Sequence, residues 1–193
     1  MERMEQMASL AAEAMRRNFT DEIGDIFRSL GQGSQQIKDS IASAVIDALH
    51  EAARRGKGPI AYVTFSLLQS NLLLDRYTLR VDALNDRFLL DDVEAASEWD
   101  FQFIFQKLGP DMDAVAAKVR ETMTRVQDYE LRELERAYLL NYYGIAFEVL
   151  RAALPSCLPA LIKSPAPWAD EVNFTVGGYM EQQQIICQWR PMV

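Results

Sequence analysis

The hydrophobic period of the chain changes at Pro59, and this change constrains the fold more than any other feature. Before it, apolar residues recur every four positions from Ile37 to Leu49, which is the spacing of one helix face. After it, "LDRYTLRVDAL" alternates apolar and polar residues, which is the period of a half-exposed strand. The sequence therefore predicts a helical segment over 1–56 and an α+β body over 57–193, joined in one integrated domain.

Strands are expected in two places in the body. A β-branched, aromatic strand at "IAYVTFSLL", the alternating segment and a third strand near 87–95 would form a three-stranded meander over 60–95. Alternation in "VNFTV" and "IICQW" predicts a hairpin over 171–189 that turns at Gly177 and Gly178. The simplest arrangement is one antiparallel sheet of about five strands, a typical sheet size.

A long helix is expected from Tyr129 to Leu154, because its second half is apolar almost all round and such helices are buried. We expect the sheet to pack against it. Whether 112–154 forms one helix or two is open, because no Gly or Pro separates its two parts near Asp128. Four prolines between Pro155 and Trp168 predict a packed linker, since proline disrupts regular helices.

Two local patterns have competing interpretations. "SEWDFQFIFQKLG" alternates like a strand, but Ser97 as a cap and Gly109 as a stop favour a short helix. Near the N-terminus, Thr20 and Ser34 are placed as caps that would begin new helices. The methionine-rich first helix suits packing onto the domain or a dimer contact.

Charge and cysteine content limit the classes of partner and the cellular compartment that we expect for this chain. A net charge of −8 disfavours nucleic acid and anionic membrane surfaces. The start of the chain lacks the continuous apolar run of a signal peptide, and the longest apolar stretch is interrupted by Asn141 and Glu148. Cys157 and Cys187 have neither zinc-site nor redox-motif spacing. We therefore expect a cytoplasmic protein with reduced thiols and with no membrane or nucleic-acid partner.

Motifs for common catalytic chemistry are missing from the sequence. A single histidine, His50, precludes a multi-histidine metal site and leaves little room for a Ser-His-Asp triad. "RRGKGP" resembles a phosphate loop only loosely, since it precedes a strand and lacks the final Ser or Thr. We predict no cofactor and no bound metal, and the sequence leaves open whether the chain is an enzyme.

The aromatic residues supply one candidate site. Tyr138, Asn141 and Tyr142 cluster on the long helix, and Trp99 lies in the aromatic stretch before it. Such clusters are usually core networks, but they also line apolar pockets with a few polar groups. These four residues are the candidates for a small-molecule pocket between the sheet and helix 129–154.

The acidic stretch "DDVEAASEWD" supplies a second candidate. Asp91, Asp92 and Glu94 form an acidic cluster that could be a solvated and capping edge, a metal or acid–base site, or a docking surface. The sequence does not decide whether this stretch faces a cleft.

Two functions follow from these patterns. The first is a non-catalytic interaction or regulatory protein that acts as a homodimer and can also bind a protein partner. Its association surfaces would be the methionine-rich helix and the final hairpin, whose edge strand could pair with another chain. The alternative is a small-molecule-binding protein or enzyme that uses the aromatic pocket.

Overall fold

A computed structural model describes residues 2–33, 35–106, 108–164 and 166–191. The regular elements, in chain order, are α1 (Glu2–Gly33), α2 (Gln35–Arg54), β1 (Ile60–Leu67), α3 (Gln69–Leu73), β2 (Thr78–Leu84), β3 (Ala96–Asp100), α4 (Leu108–Thr122), α5 (Asp128–Leu161), β4 (Trp168–Gly178) and β5 (Gln183–Trp189). The predicted α+β class, with N-terminal helices, a five-stranded sheet and a long helix, is confirmed.

The chain forms two compact units, each built from two separate stretches of sequence. The helical unit comprises Met1–Gln32 and Gln102–Ala146, and the sheet unit comprises Gly33–Phe101 and Phe147–Val193. Helix α2 therefore belongs with the sheet.

In the helical unit, the methionine stripe of α1 is buried. Met7 and Ala11 are fully buried in a cluster with Val115, Val119 and Leu134. The predicted cap at Thr20 is wrong, because α1 continues through it and its hydroxyl donates to the Arg16 carbonyl one turn earlier. The predicted cap at position 34 lies outside the described residues.

The sheet has the order β3-β2-β1-β4-β5. All neighbours are antiparallel except β1 and β4, which are parallel, so the expectation of a purely antiparallel sheet is wrong. Parallel neighbours need a long crossover connection, and α4 and α5 lie in the segment between β3 and β4. Hydrophobic pattern alone does not distinguish the two pairings for a strand buried on both faces.

The aromatic stretch begins as a strand. Ala96–Asp100 is β3, and a 3₁₀ turn at Gln102–Phe105 follows it, so both the predicted helix from Ser97 and the strand at 87–95 are wrong. The Ser97 hydroxyl donates to the Ala44 carbonyl of α2 instead of capping a helix. Tertiary contacts with α2 therefore override the local capping pattern.

Helix α5 corrects the prediction of a proline-rich linker. The segment 112–154 contains two helices, and α5 continues through Pro155 and Pro159 to Leu161. Both prolines are exposed and lie one turn apart, so water can solvate the carbonyls that they leave without a partner. Residues 147–161 belong to the sheet unit, where Cys157 contacts the Lys38 carbonyl of α2.

The final hairpin also differs in its turn. Strand β4 extends through Gly178 and the turn follows it, so the predicted turn at the two glycines is wrong. A side chain at Gly177 would place its Cβ 2.5 Å from the Gln182 carbonyl oxygen. The glycine is thus required by a close backbone approach and not by the turn itself.

Among the described residues, α5 is the helix long and apolar enough to cross a membrane by length and composition. Within its most apolar window, 44% of the residues are buried inside the protein. Core helices of soluble proteins have this pattern, and the fold fits a soluble protein.

Candidate functional site

One face of the sheet carries a cavity of about 290 Å³. Its lining comes entirely from the sheet unit: β1, β2, the β2–β3 connection and the β4–β5 turn. The lining residues are Thr64, Ser66, Arg80, Asp82, Leu84, Leu89, Asp91, Asp92, Val93, Glu94, Tyr179 and Met180.

The floor of the cavity is polar because of strand alternation. Thr64 and Ser66 point to one face of β1, while the residues between them point to the other. Across the ladder, Thr64 pairs with Asp82 and Ser66 with Arg80. The register therefore sets two hydroxyls beside one carboxylate and one guanidinium.

Arg80 is held by three groups around the cavity. Its Nε donates to both carboxylate oxygens of Asp82 at 2.9 Å, and its Nη2 lies 2.7 Å from Glu94 Oε1. The guanidinium also lies 5.0 Å from the centre of the Tyr179 ring, a cation–π distance. Hydrogen bonding from Arg80 lowers the pKa of Glu94, so this acid is ionised at neutral pH.

The acidic wall is fixed by a buried ion pair. Lys57 Nζ lies 2.8 Å from Asp91 Oδ2, and both side chains are 0% exposed. Lys57 also donates to the carbonyls of Ala83 and Val93 at 2.5 Å, so its three donors are all used. The β2–β3 connection is thereby tied to the start of β1.

Lys57 reaches this position because of how α2 ends. Gly56 adopts a φ of 64°, its amide donates to Ala53, and the Lys57 amide donates to Ala52. This pair of bonds is the Schellman ending, which favours glycine at the left-handed position. The "RRG" stop signal was readable in the sequence, but nothing in the sequence pointed to the partner of Lys57.

Asp91 accepts hydrogen bonds from several directions. Besides Lys57, it accepts from the backbone amides of Asn85 at 2.7 Å and Val93 at 3.1 Å. Burial raises the pKa of Asp91, but these hydrogen bonds outweigh burial and leave its pKa below the usual range. The carboxylate is therefore a structural anion that shapes the cavity wall.

Two hydroxyls on the floor face the cavity. Thr64 and Ser66 are each 1% exposed as whole residues, and no hydrogen bond from a described residue reaches either hydroxyl. Within the described ranges, the side-chain polar atoms that are fully buried without a partner are Ser164 Oγ and Trp168 Nε1, so the two hydroxyl oxygens reach the cavity surface. Thr175 lies on the same face and is equally buried, but it is bonded to Gln183 at 3.2 Å. The two open hydroxyls therefore differ from their neighbour by facing the cavity.

The three predicted acids all line this cavity. Asp91 is buried, whereas Asp92 and Glu94 have side chains that are 76% and 61% exposed at its edge. Asp92 pairs with Arg87 at 3.1 Å. Sequence reasoning found the acidic wall but missed Arg80 and the two hydroxyls, because an alternating strand gives the same signal for any solvated face.

The four predicted aromatic-pocket residues fall in different units. Trp99 is buried in the sheet unit, where its Nε1 donates to Ser40 Oγ at 3.0 Å. Tyr138 and Tyr142 are buried in the helical unit, while Asn141 is exposed. The site that these residues were expected to form stays a prediction.

The two tyrosines share one acceptor. Their hydroxyls donate to Asp111 Oδ2 at 3.2 Å from Tyr138 and 2.9 Å from Tyr142. Their rings meet edge to face at 5.3 Å, and Phe105 stacks on Tyr142 at 5.1 Å. This network satisfies the buried hydroxyls inside the core.

The described residues give little support to metal-dependent or thiol-dependent chemistry. No group of three or more His, Cys, Asp or Glu side chains within them could hold a metal ion. Burial raises the pKa of Cys157 to about 11 and also raises that of Cys187. Both thiols are therefore poor nucleophiles at neutral pH.

Comparison with protein-family models, with curated proteins and with solved structures finds no match to this chain.

Proposed function

We propose that this chain is a non-catalytic binding protein that takes a small ligand, or one side chain of a partner, in the sheet-face cavity. The observation that carries the proposal is the pair of floor hydroxyls, Thr64 and Ser66, which open onto the cavity and have no hydrogen bond to a described residue. A bound polar group can hydrogen-bond to both, because a hydroxyl can donate and accept.

The remaining lining supports binding and gives no support to catalysis. Lys57 and Arg80 are both occupied by carboxylates, and Asp91 is occupied by Lys57 and two amides. Groups held this way position a ligand, whereas a general base needs a free lone pair near the reacting proton. The cavity volume is at the small end of the range for ligand sites.

The test is a thermal-shift screen of small polar molecules, repeated on two variants. A ligand at 100 times its Kd adds about 2.7 kcal/mol of stability, which such a screen detects. Thr64→Val removes the open hydroxyl at nearly constant shape, and Thr175→Val is the control because its hydroxyl already has a partner. The proposal is supported if the stabilisation by a ligand is lost in Thr64→Val but remains in Thr175→Val. It is overturned if the stabilisation is unchanged in Thr64→Val.

A second proposal is that the chain acts in the cytoplasm as a homodimer. Strand β5 lies at one edge of the sheet, contains no charged residue from Gln183 to Trp189, and leaves Ile185 50% exposed. Edge strands are usually protected by charge, as the opposite edge is by Glu98 and Asp100. The methionine stripe of α1 is packed within its own unit, which leaves β5 as the better-supported association surface.

Light scattering tests the homodimer. A mass of twice 22.0 kDa at micromolar concentration, reduced to 22.0 kDa by Ile185→Lys, is the expected result. A monomer in the unsubstituted protein refutes it. The net charge of −8 supports a partner that is neither nucleic acid nor anionic membrane.

A further inference from the structure

We infer that the group bound in the sheet-face cavity is an organic cation, either a primary ammonium or a guanidinium. This inference rests on the proposed binding function and names the chemistry of its ligand. It draws on the charge balance of the lining, on the hydrogen-bond acceptors at the cavity surface and on the cavity volume.

The charge balance of the site is negative. Four carboxylates line the cavity, while its cations are Arg80 in the lining and Lys57 behind the wall. Arg87 offsets part of the excess at the edge, where it pairs with Asp92 in contact with solvent. A site with surplus carboxylate attracts cations and repels phosphates and carboxylates.

The cationic side chains of the site already have protein partners and are not available to an anionic ligand. Lys57 has no exposed side-chain surface and donates to three protein oxygens. Arg80 is paired with both Asp82 and Glu94. An anionic ligand would have to displace a carboxylate to reach either cation.

The groups at the cavity surface can accept hydrogen bonds from a ligand. The hydroxyls of Thr64 and Ser66 can accept as well as donate. The edge carboxylates of Asp92 and Glu94 each bond one arginine and keep further lone pairs. Ammonium and guanidinium groups carry only donors, so these carboxylates favour them over an anion. The chain itself provides an example, because Arg80 places a guanidinium between two carboxylates and the Tyr179 ring.

The volume limits the ligand further. About 290 Å³ accommodates a small amine or one long basic side chain. Drug-sized and nucleotide-sized ligands need larger sites within the usual range of about 300–1,000 Å³. The two sources that share this chemistry are a free polyamine-like molecule and a Lys or Arg side chain of a peptide.

Isothermal titration calorimetry on the full chain distinguishes these sources. The probes are agmatine, a short peptide with one central arginine, and the same peptide with neutral citrulline in its place. We expect at least one cationic probe to bind and the citrulline peptide to bind at least about tenfold more weakly, as the loss of a charge-assisted hydrogen bond predicts. If agmatine binds and the arginine peptide does not, the ligand is a free amine. If the arginine peptide binds more tightly than agmatine, the ligand is a basic side chain.

A matched pair of variants locates the site. Glu94→Gln should weaken cation binding about tenfold through the loss of one charge-assisted bond. Glu133→Gln is the control, because its side chain is 63% exposed against 61% for Glu94 and it also pairs with an arginine. Asp92→Asn serves as a second variant at the edge, and circular dichroism verifies that each variant is folded.

The failure of the inference and the failure of the proposed function are distinguishable. Inorganic phosphate or acetate binding that is lost in Thr64→Val would overturn the cation assignment and keep the binding function. Equal binding of the arginine and citrulline peptides, lost in Thr64→Val, has the same meaning. Cation binding unaffected by Glu94→Gln, Asp92→Asn and Thr64→Val would overturn the site itself.

Discussion

Replacing Lys57 with methionine tests the role of the buried ion pair in the sheet unit. The substitution removes the ammonium but keeps an unbranched side chain of similar length. It leaves the Asp91 carboxylate fully buried, with only the amides of Asn85 and Val93 donating to it. It also removes the ammonium donor to the carbonyls of Ala83 and Val93.

The expected loss of stability is large. Breaking a buried ion pair by removing one partner costs about 3–5 kcal/mol. The two remaining amides favour the lower part of this range, and the lost carbonyl bonds add about 1 kcal/mol, giving about 4 kcal/mol in total. A domain is usually stable by roughly 5–15 kcal/mol, so this loss is a substantial share of the whole.

Urea unfolding followed by tryptophan fluorescence measures this loss. All three tryptophans, Trp99, Trp168 and Trp189, belong to the sheet unit, so the signal reports on the unit that contains the pair. The double variant Lys57→Met with Asp91→Leu should be more stable than Lys57→Met alone, because no unpaired charge is then buried. A loss below about 1 kcal/mol in Lys57→Met would refute the reasoning.

The pH dependence gives an independent check. The folded-state pKa of Asp91 lies below its usual value, so the pair stabilises the native protein above about pH 4 and this contribution falls as the pH drops. In Lys57→Met, the ammonium no longer stabilises the Asp91 carboxylate, so burial raises the pKa of Asp91. Protonation at acidic pH then removes the cost of burying an unpaired charge. The difference in unfolding free energy between the two proteins should therefore narrow from pH 7 toward pH 4. A constant difference would contradict the assignment.

Three further predictions concern other parts of the chain. Gly177→Ala should lower the unfolding free energy by about 1–3 kcal/mol in the same urea assay, because its Cβ would meet the Gln182 carbonyl, and an unchanged value would contradict the close approach. Iodoacetamide at pH 8, followed by peptide mass mapping, should label the partly exposed Cys187 before the buried Cys157, and the reverse order would be inconsistent with this burial. Asp111→Asn should cost about 1–2 kcal/mol in urea unfolding followed by circular dichroism, since two tyrosine hydroxyls lose a charged acceptor; an unchanged midpoint would argue against this network.

The sequence predicted the elements whose pattern agrees with their environment. The helical periodicity of α2, the alternation of β2 and the glycine stop at Gly56 all match the structure. In each case local preference and tertiary packing favour the same conformation. The predicted element boundaries were wrong where tertiary packing outweighed a local sequence signal, as at Ser97 and at Pro155.

The candidate site was only partly predictable. The acids at 91–94 were identified from composition, but the cavity also depends on side chains from positions 64, 66, 80, 82, 84, 179 and 180. Lys57 holds Asp91 in the wall. Their proximity follows from strand register and from the parallel pairing of β1 with β4, neither of which a single sequence specifies.

The interleaving of the two units has a consequence for biosynthesis. The sheet unit resumes only after Ala146, so β1 has no partner on its β4 side until Trp168 and the residues after it have been made. During translation, β1, β2 and β3 can pair at once, but they must wait for about 70 residues before the central strand is covered on both sides. A ribosome-bound chain therefore carries an open central strand for several seconds at usual elongation rates, and this interval is when it is most exposed to misassembly.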